Sequence, residues 1–321
     1  MREEREDRRI FLARVASLYY ENGRNQQQIA DSLGVSRSAV SRFLTEAKEL
    51  GIVEVIVHYP WSTNTGLEDK LRETFGLQDV RVLVSKERSY EEMLQGLGTL
   101  AAEEFEKVLA PDSVIGIAWG TALYQVIRFI RSHSYPAVEV VQMIGATESE
   151  RKLSTDGPVL AQLLSDRLGG FYRHLHAPLI LDSKEVHHAL LQDRSIRETM
   201  QRAEEADIAL IGIGSTRPGL YSILRAGYVD EHEAEMIRER GAVGDICGQH
   251  LDVYGNTIDI DISSRAVALS LEKLKEIPIV IAAAGGEQKG DAILAALRGG
   301  YVDILITDDG AANWILDHME G

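Results

Sequence analysis

NQQQIADSLGVSRSAVSRFLTEAKEL, residues 25–50, reads as two short helices joined by a tight turn. Asn25 is a good N-cap, and Gln28 falls at the reciprocal capping-box position three residues on. Ile29, Ala30 and Leu33 form one apolar face, and Gly34 supplies the bend between the helices. Ser36 is the next N-cap. Val40, Phe43, Leu44 and Ala47 then follow at the spacing of a single buried stripe. The opposite face carries Arg37, Ser38, Ser41, Arg42 and Thr45, hydroxyl and guanidinium groups suited to phosphates and base edges. A recognition helix enters the major groove with its N-terminal residues leading, and here those are Arg37, Ser38 and Ser41. Any helical hairpin shows an apolar stripe. Ala30 at the crossing, Gly34 in the turn and Val40 in the second helix together favour a DNA-binding helix-turn-helix. The expected DNA contacts are Gln26, Ser36, Arg37, Ser38, Ser41 and Arg42.

Working outward, Leu12, Val15, Ala16 and Tyr19 give a helix stripe that would brace this motif. Phe11 and Leu18 fall off the stripe, as core or as a dimer contact. After Gly51 comes IVEVIVHYP, whose Val53, Val55 and Val57 alternate as in a strand and resemble the wing of a winged helix. YPWSTNTG follows, with Pro60, Gly66 and small polar residues, and reads as a linker. The expected domains are 1–58 for DNA binding, 59–66 as linker, and 67–321 for ligand binding and oligomerisation.

Beyond the linker, strands alternate with helices. Candidate strands are 80–84, 113–119, 138–144, 170–175, 208–213, 242–247, 279–284 and 302–307. Helical stretches are 90–108, 122–131, 159–168, 194–205, 231–238, 266–275 and 288–297. Short apolar strands between helices predict a mostly parallel sheet covered on both faces.

Length and composition agree with one small and one large domain. The chain has 321 residues, 45% of them hydrophobic, enough for a sizeable core. No apolar run approaches a membrane span, and Met1 leads into a charged segment rather than a signal peptide. The single Cys247 excludes an internal disulfide framework. A cytoplasmic protein is expected. The net charge of -16 is unevenly spread. Residues 1–50 hold 9 Lys+Arg and 8 Asp+Glu, hence +1, and residues 51–321 hold 25 and 42, hence -17. The acidic part presents only the near-neutral end to DNA. So weakly basic a module gains affinity from several copies, which predicts an oligomer, dimer or tetramer.

Ligands of an open α/β sheet gather at the carboxyl ends of its strands. Four such ends are rich in glycine or small polar residues. Gly120-Thr121 sits where a strand hands over to a helix, a natural phosphate cradle and equally a plain tight turn. Gly214-Ser215 follows another strand. Asp245, between Gly244 and Gly248, suits sugar hydroxyls or a cap. Lys289 follows Gly285-Gly286 near a helix start, where a bound anion would offset the dipole's disfavour. His174, His176, His187 and His188 lack Cys or carboxylate at ligand spacing, so no metal is expected. No Ser/His/Asp arrangement, paired-carboxylate motif or Walker sequence is present.

With QIADSLGVSRSAVSRFLTEAKELGIV, VIGIAWGTAL, GAVGDICGQHLDVYGN and PIVIAAAGGEQKGDAILAALRGGYVDILITDDGAA, the chain resembles the SorC/DeoR-type bacterial transcriptional regulators over nearly its whole length. The resemblance implies an N-terminal helix-turn-helix and a C-terminal α/β domain like the sugar isomerases and deaminases of the glucosamine-6-phosphate deaminase type. It also implies sugar or sugar-phosphate effectors, and commonly tetramers. By position it implies a phosphate-binding turn at Gly120, Thr121, Ala122 and Leu123, and sugar contacts at Gly214, Ser215, Asp245, Cys247 and Lys289. Two departures stand out. Ala122 and Leu123 follow Thr121 where a second hydroxyl or a basic residue is frequent, and the end reads TDDGAA where TDE and a hydroxyl residue are usual. The expected function is control of a carbohydrate-utilisation operon by a small sugar, polyol or sugar phosphate, with no cofactor. The alternative is an isomerase- or deaminase-like enzyme carrying a DNA-binding domain.

Overall fold

A computed structural model of the chain describes residues 2–53, 59–86, 88–147 and 155–319. The chain divides into two compact units between His58 and Tyr59. Among the described residues the first unit is built from α1 (Arg2–Tyr20), α2 (Gln26–Leu33) and α3 (Arg37–Glu49). Asn25 and Gln28 cap α2 reciprocally, side chain to backbone, at 2.9 and 3.0 Å. Gly34 ends α2 at φ +66°, a left-handed backbone that a side chain would strain. Ser36 Oγ accepts from the Ala39 N–H at 3.2 Å and starts α3. Leu12, Val15 and Ala16 close a core with Ile29, Ala30, Val40, Leu44 and Ala47. Phe11 and Leu18 pack on that core, and Phe11 meets Phe43 edge-to-face at 5.1 Å. Residues 54–58 of the wing-like stretch lie outside the described residues.

The second unit carries the strands. In chain order they are β1 (Asp79–Leu83), β2 (Val114–Ile117), β3 (Glu139–Gln142), β4 (Phe171–Arg173), β5 (Ile208–Gly212), β6 (Gly214–Ser215), β7 (Gly244–Ile246), β8 (Gln249–Leu251), β9 (Ile279–Ala283) and β10 (Ile304–Asp308). The helices are α4 (Thr65–Phe75), α5 (Tyr90–Val108), α6 (Thr121–Phe129), α7 (Gly157–Leu168), α8 (Lys184–Leu190) and α9 (Arg194–Glu204). After them come α10 (Ser222–Arg225), α11 (Glu231–Glu239), α12 (Leu271–Leu274), α13 (Gly290–Arg298) and α14 (Asp309–Asp317).

Seven strands form one sheet in the order β1-β10-β9-β5-β2-β3-β4, and every pair in it is parallel. Every residue of β2 and β3 is buried, as expected of strands covered on both faces. The order reverses between β2 and β5. From β2 the chain steps to β3 and β4 on one side, and from β5 to β9 and β10 on the other. Connections that leave two neighbouring strands toward opposite faces open a crevice at their carboxyl ends.

Two expected elements differ. The stretch 242–247 is not a strand of the parallel sheet. Its β7 lies in a separate antiparallel sheet, β6-β7-β8, because Cys247 and Gly248 both take positive φ (53° and 75°) and turn the chain back as a two-residue hairpin of the primed kind. The stretch 266–275 is helical only over α12. Ala266 and Ala268 bridge Ile180 and Ile144, and the Val267 and Leu269 N–H groups bond the Leu179 and Met143 carbonyls at 2.8 Å. Tertiary pairing overrides the local periodicity there. Within the expected linker, Thr63 bridges Leu83 antiparallel at the β1 edge and Asn64 caps α4. That pairing covers only the Val82–Val84 end of the β1 edge. No described helix is long and apolar enough to cross a membrane.

Candidate functional sites

The crevice between β2 and β5 deepens into a cavity at the carboxyl edge of the sheet. Gly120, Thr121, Ala122 and Leu123 reach it from the β2–α6 turn, Gly214 from β6, Asp245 and Cys247 from the β7–β8 hairpin, and Lys289 from the start of α13. Parallel strands point their carboxyl ends one way, so segments distant in sequence converge. Ser215 does not reach the cavity. It alternates with Gly214 along β6 and is fully buried on the other side, where its Oγ accepts from the Arg217 N–H at 3.3 Å. Tyr90, Trp119, Ser222 and Arg225 line the cavity as well. Trp119 belongs to the strand end that holds Gly120, but nothing local in the sequence marks the others: Arg225 ends a four-residue helix without a motif, and Tyr90 reads only as the start of α5.

Gly120 holds φ +132°, open to glycine. Its N–H donates to the Thr155 carbonyl at 3.1 Å, so it is not itself a donor to a ligand. No side chain caps α6, and its first-turn N–H groups carry the positive end of the helix dipole at the cavity wall. Gly214 has a different reason to be glycine: a Cβ there would stand 2.1 Å from Asp245 Oδ1. The carboxylate therefore lies directly against the β6 backbone.

Asp245 is buried, and its Oδ1 has no hydrogen-bond partner among the described residues. Burial pushes its carboxyl up to about 6, against the pull of the Gly248 N–H and the Lys289 charge. Lys289 is half-buried, and its Nζ donates to the Ile213 carbonyl at 2.9 Å. Burial brings its ammonium down to about 8, with Asp245 opposing and Arg225 assisting. The Cys247 thiol is pushed up to about 12 by burial and by Asp245, so it stays neutral and unreactive. Two cations and a helix N-terminus suit an anion, and a buried carboxyl with one unpartnered oxygen suits hydroxyl donors. Trp119 and Tyr90 offer apolar faces beside them.

Two buried networks hold this lining. Tyr221 stands just before α10, and its hydroxyl meets His250 Nε2 at 2.5 Å, while His250 Nδ1 meets Ser263 Oγ at 2.8 Å. Burial lowers His250 to about 4, so the ring is neutral and its bonds persist through neutral pH. In TDDGAA, Asp308 Oδ1 accepts from the Gly286 N–H at 2.6 Å and Oδ2 from Ser85 Oγ at 2.8 Å. Asp308 thereby fixes the glycine turn that precedes Lys289. The histidines noted in the sequence serve elsewhere; His187 Nε2, for one, meets the Ala266 carbonyl at 3.1 Å.

On the first unit, Ser36, Arg37, Ser38, Ser41 and Arg42 are all exposed at or near the N-terminal half of α3. Ser36 also serves as the helix cap, and its Oγ meets Ser38 Oγ at 2.9 Å. Gln26 is half-buried and shares a cleft with Tyr19, Asn25, Gln27 and Arg37.

Comparison with known proteins bears on both units. The family model described as "Putative sugar-binding domain" matches residues 59–317, and that for "Sigma-70, region 4" matches residues 13–49. The deoxyribonucleoside regulator of Bacillus subtilis (strain 168) is 32% identical over 307 residues, covering 95% of this chain and 96% of that protein. The sorbitol operon regulator of Klebsiella pneumoniae is 30% identical over 308 residues, covering 95% and 97%. The crystal structure of full-length SorC from Klebsiella pneumoniae superposes with a TM-score of 0.74 at 30% identity, over 95% of this chain and 98% of that one.

Proposed function

We infer the function from one premise: this chain belongs to the family of transcriptional regulators that join a helix-turn-helix to a sugar-binding domain. It is a DNA-binding regulator, α3 its recognition helix and the β2–β5 cavity its effector site. The effector is a small carbohydrate with an anionic end, a sugar or polyol phosphate. One observation carries this reading: Lys289, Arg225 and the uncapped start of α6 line the same cavity as Asp245. The anion sits at the cations and the helix end, and Asp245 accepts from hydroxyls. The relatives are named as regulators, and Asp245 is the one carboxylate among the described residues that line the cavity, while its cross-strand neighbour His250 is turned to Tyr221 and Ser263. Both favour a binding role over turnover. Incubation with sugar phosphates should leave them unchanged; steady product formation overturns that.

A thermal-shift screen of sugars, polyols and their phosphates tests the effector class. A ligand at 100 times its Kd stabilises by about 2.7 kcal/mol, and phosphorylated compounds should give the largest shifts. Equal shifts from free polyols remove the phosphate assignment.

The effector controls DNA affinity only through its differential affinity for two arrangements of the protein. Those arrangements belong to an oligomer, since residues 1–50, carrying +1, make a poor monovalent binder. Light scattering should find a dimer or tetramer, and monomer alone, free and DNA-bound, rejects this. Arg42→Ala should weaken binding to all sequences and lower the salt slope by about 1, whereas Arg37→Ala should relax specificity by roughly 1–3 kcal/mol. Fluorescence anisotropy across a salt series reads both. A double variant that binds operator like wild type at moderate salt discards α3 as the reader.

A further inference from the structure

The start of α5 and the residues before it face two ways. Tyr90 is the first residue of α5 and lines the effector cavity, with the Arg225 charge acting on its phenol. Arg88, two residues earlier, lies over the ring of Trp61 at 4.6 Å. Trp61 belongs to the strap, residues 59–64, by which the chain comes from the helix-turn-helix into the second unit. The strap is docked by specific contacts. Trp61 Nε1 donates to Thr99 Oγ1 of α5 at 3.1 Å. Gly96 makes room for Leu83 first and the indole second, since a Cβ there would stand 2.6 Å from Leu83 Cδ2 and 3.2 Å from Trp61 Cε3. The Asn64 N–H donates to the Val82 carbonyl at 2.8 Å, and the Val84 N–H to that of Ser62 at 2.9 Å.

Ser85, Arg88 and Ser89 are each held by hydrogen bonds. Ser85 bonds Asp308 and Asp309, and the Arg88 N–H donates to the Ser85 carbonyl at 3.0 Å. Ser89 and Glu92 form a reciprocal cap on α5. Ser89, at the helix cap, joins Tyr90 to Arg88 along the backbone. Interfaces that are packed and hydrogen-bonded switch between arrangements rather than deform smoothly.

We propose that α5 and the residues just before it pass the state of the effector cavity to the strap: Tyr90 moves against a bound anion, Arg88 is carried with it, and Arg88 and Thr99 reset the seat of Trp61. The inference rests on the cavity's being the effector site. It adds Tyr90 as a ligand-contacting residue, and Arg88 and Thr99 as positioning residues that touch no ligand.

Hydrogen exchange read by mass spectrometry on the full chain tests this, with inorganic phosphate and sorbitol 6-phosphate as probes. In wild type, the probe that raises the melting temperature should slow exchange at residues 61–64 by ~5-fold or more. Arg88→Ala and Thr99→Val should bind that probe within about 2-fold of wild type and lose the slowing. Tyr90→Ala should weaken the probe several-fold and also lose it, and Tyr90→Phe should keep it. Slowing that persists in both Arg88→Ala and Thr99→Val overturns the relay while the cavity stands. A melting shift that survives Lys289→Met unchanged places the anion elsewhere and overturns the cavity reading, and this inference with it. So does the absence of any shift with either probe.

Discussion

Asp245→Asn is expected to make the unliganded protein more stable at neutral pH and to make it poorly responsive to its effector. The wild-type carboxyl sits at about 6, above its ordinary 3.8, so the native state holds that proton more tightly than the unfolded chain does. Its contribution to stability is complete below pH ~4 and is lost as the pH rises through 6. At pH 7.5 the charged, buried group therefore costs ~3 kcal/mol, about two pKa units at 1.36 kcal/mol each. Asparagine removes that cost, less what Lys289 forfeits with its counter-charge. The variant's melting temperature should exceed wild type by several degrees at pH 7.5, and the difference should shrink toward pH 4.5. The same exchange removes the charged acceptor that awaits the ligand's hydroxyls, at roughly 1.5–3 kcal/mol or about 10- to 150-fold in effector affinity. Melts at the two pH values and a calorimetric titration check both halves. A lower melting temperature at pH 7.5, or an unchanged titration, removes Asp245 from the role assigned to it.

Lys289→Met carries the other large effect. Methionine keeps most of the stem's packing and deletes the charge. Binding of a phosphorylated effector should fall by about 10- to 150-fold, the range for a lost charge-assisted hydrogen bond. The free sugar should lose only a few-fold. Lys289 titrates at about 8, below its ordinary 10.5, so wild-type affinity for a phosphate should decline as the pH rises through 8. That decline should be absent from the variant between pH 7 and 9. Titrations of a sugar phosphate and its free sugar at three pH values measure this. Equal losses for the two ligands would leave the cavity in place and withdraw the phosphate from Lys289.

Local chemistry made much of this molecule legible in the sequence. The helix-turn-helix is written in caps and spacing: Asn25 with Gln28, Gly34, Ser36, then Val40, Phe43, Leu44 and Ala47. Each acts within a few residues of itself, so neighbours in sequence decide it. The same holds for the strands of the parallel sheet, whose apolar runs need only be buried, and for α5, whose cap Ser89–Glu92 stands beside its first turn. The glycine-rich strand ends were visible for the same reason, since a backbone turn announces itself locally.

Tertiary structure alone decided what those ends share. The strand order reverses between β2 and β5, and only that reversal gathers Gly120–Leu123, Gly214, Asp245 and Lys289 around one cavity. It decided that Gly120's N–H faces Thr155 rather than a ligand, that Ser215 turns away, and that Asp245 and Lys289 titrate far from their ordinary values. It added Arg225 and Tyr90, and it took residues 242–247 out of the parallel sheet. Each of these depends on a partner distant in the chain or on burial by the whole unit. Periodicity reports which face of an element is apolar; it does not report which other element will cover that face.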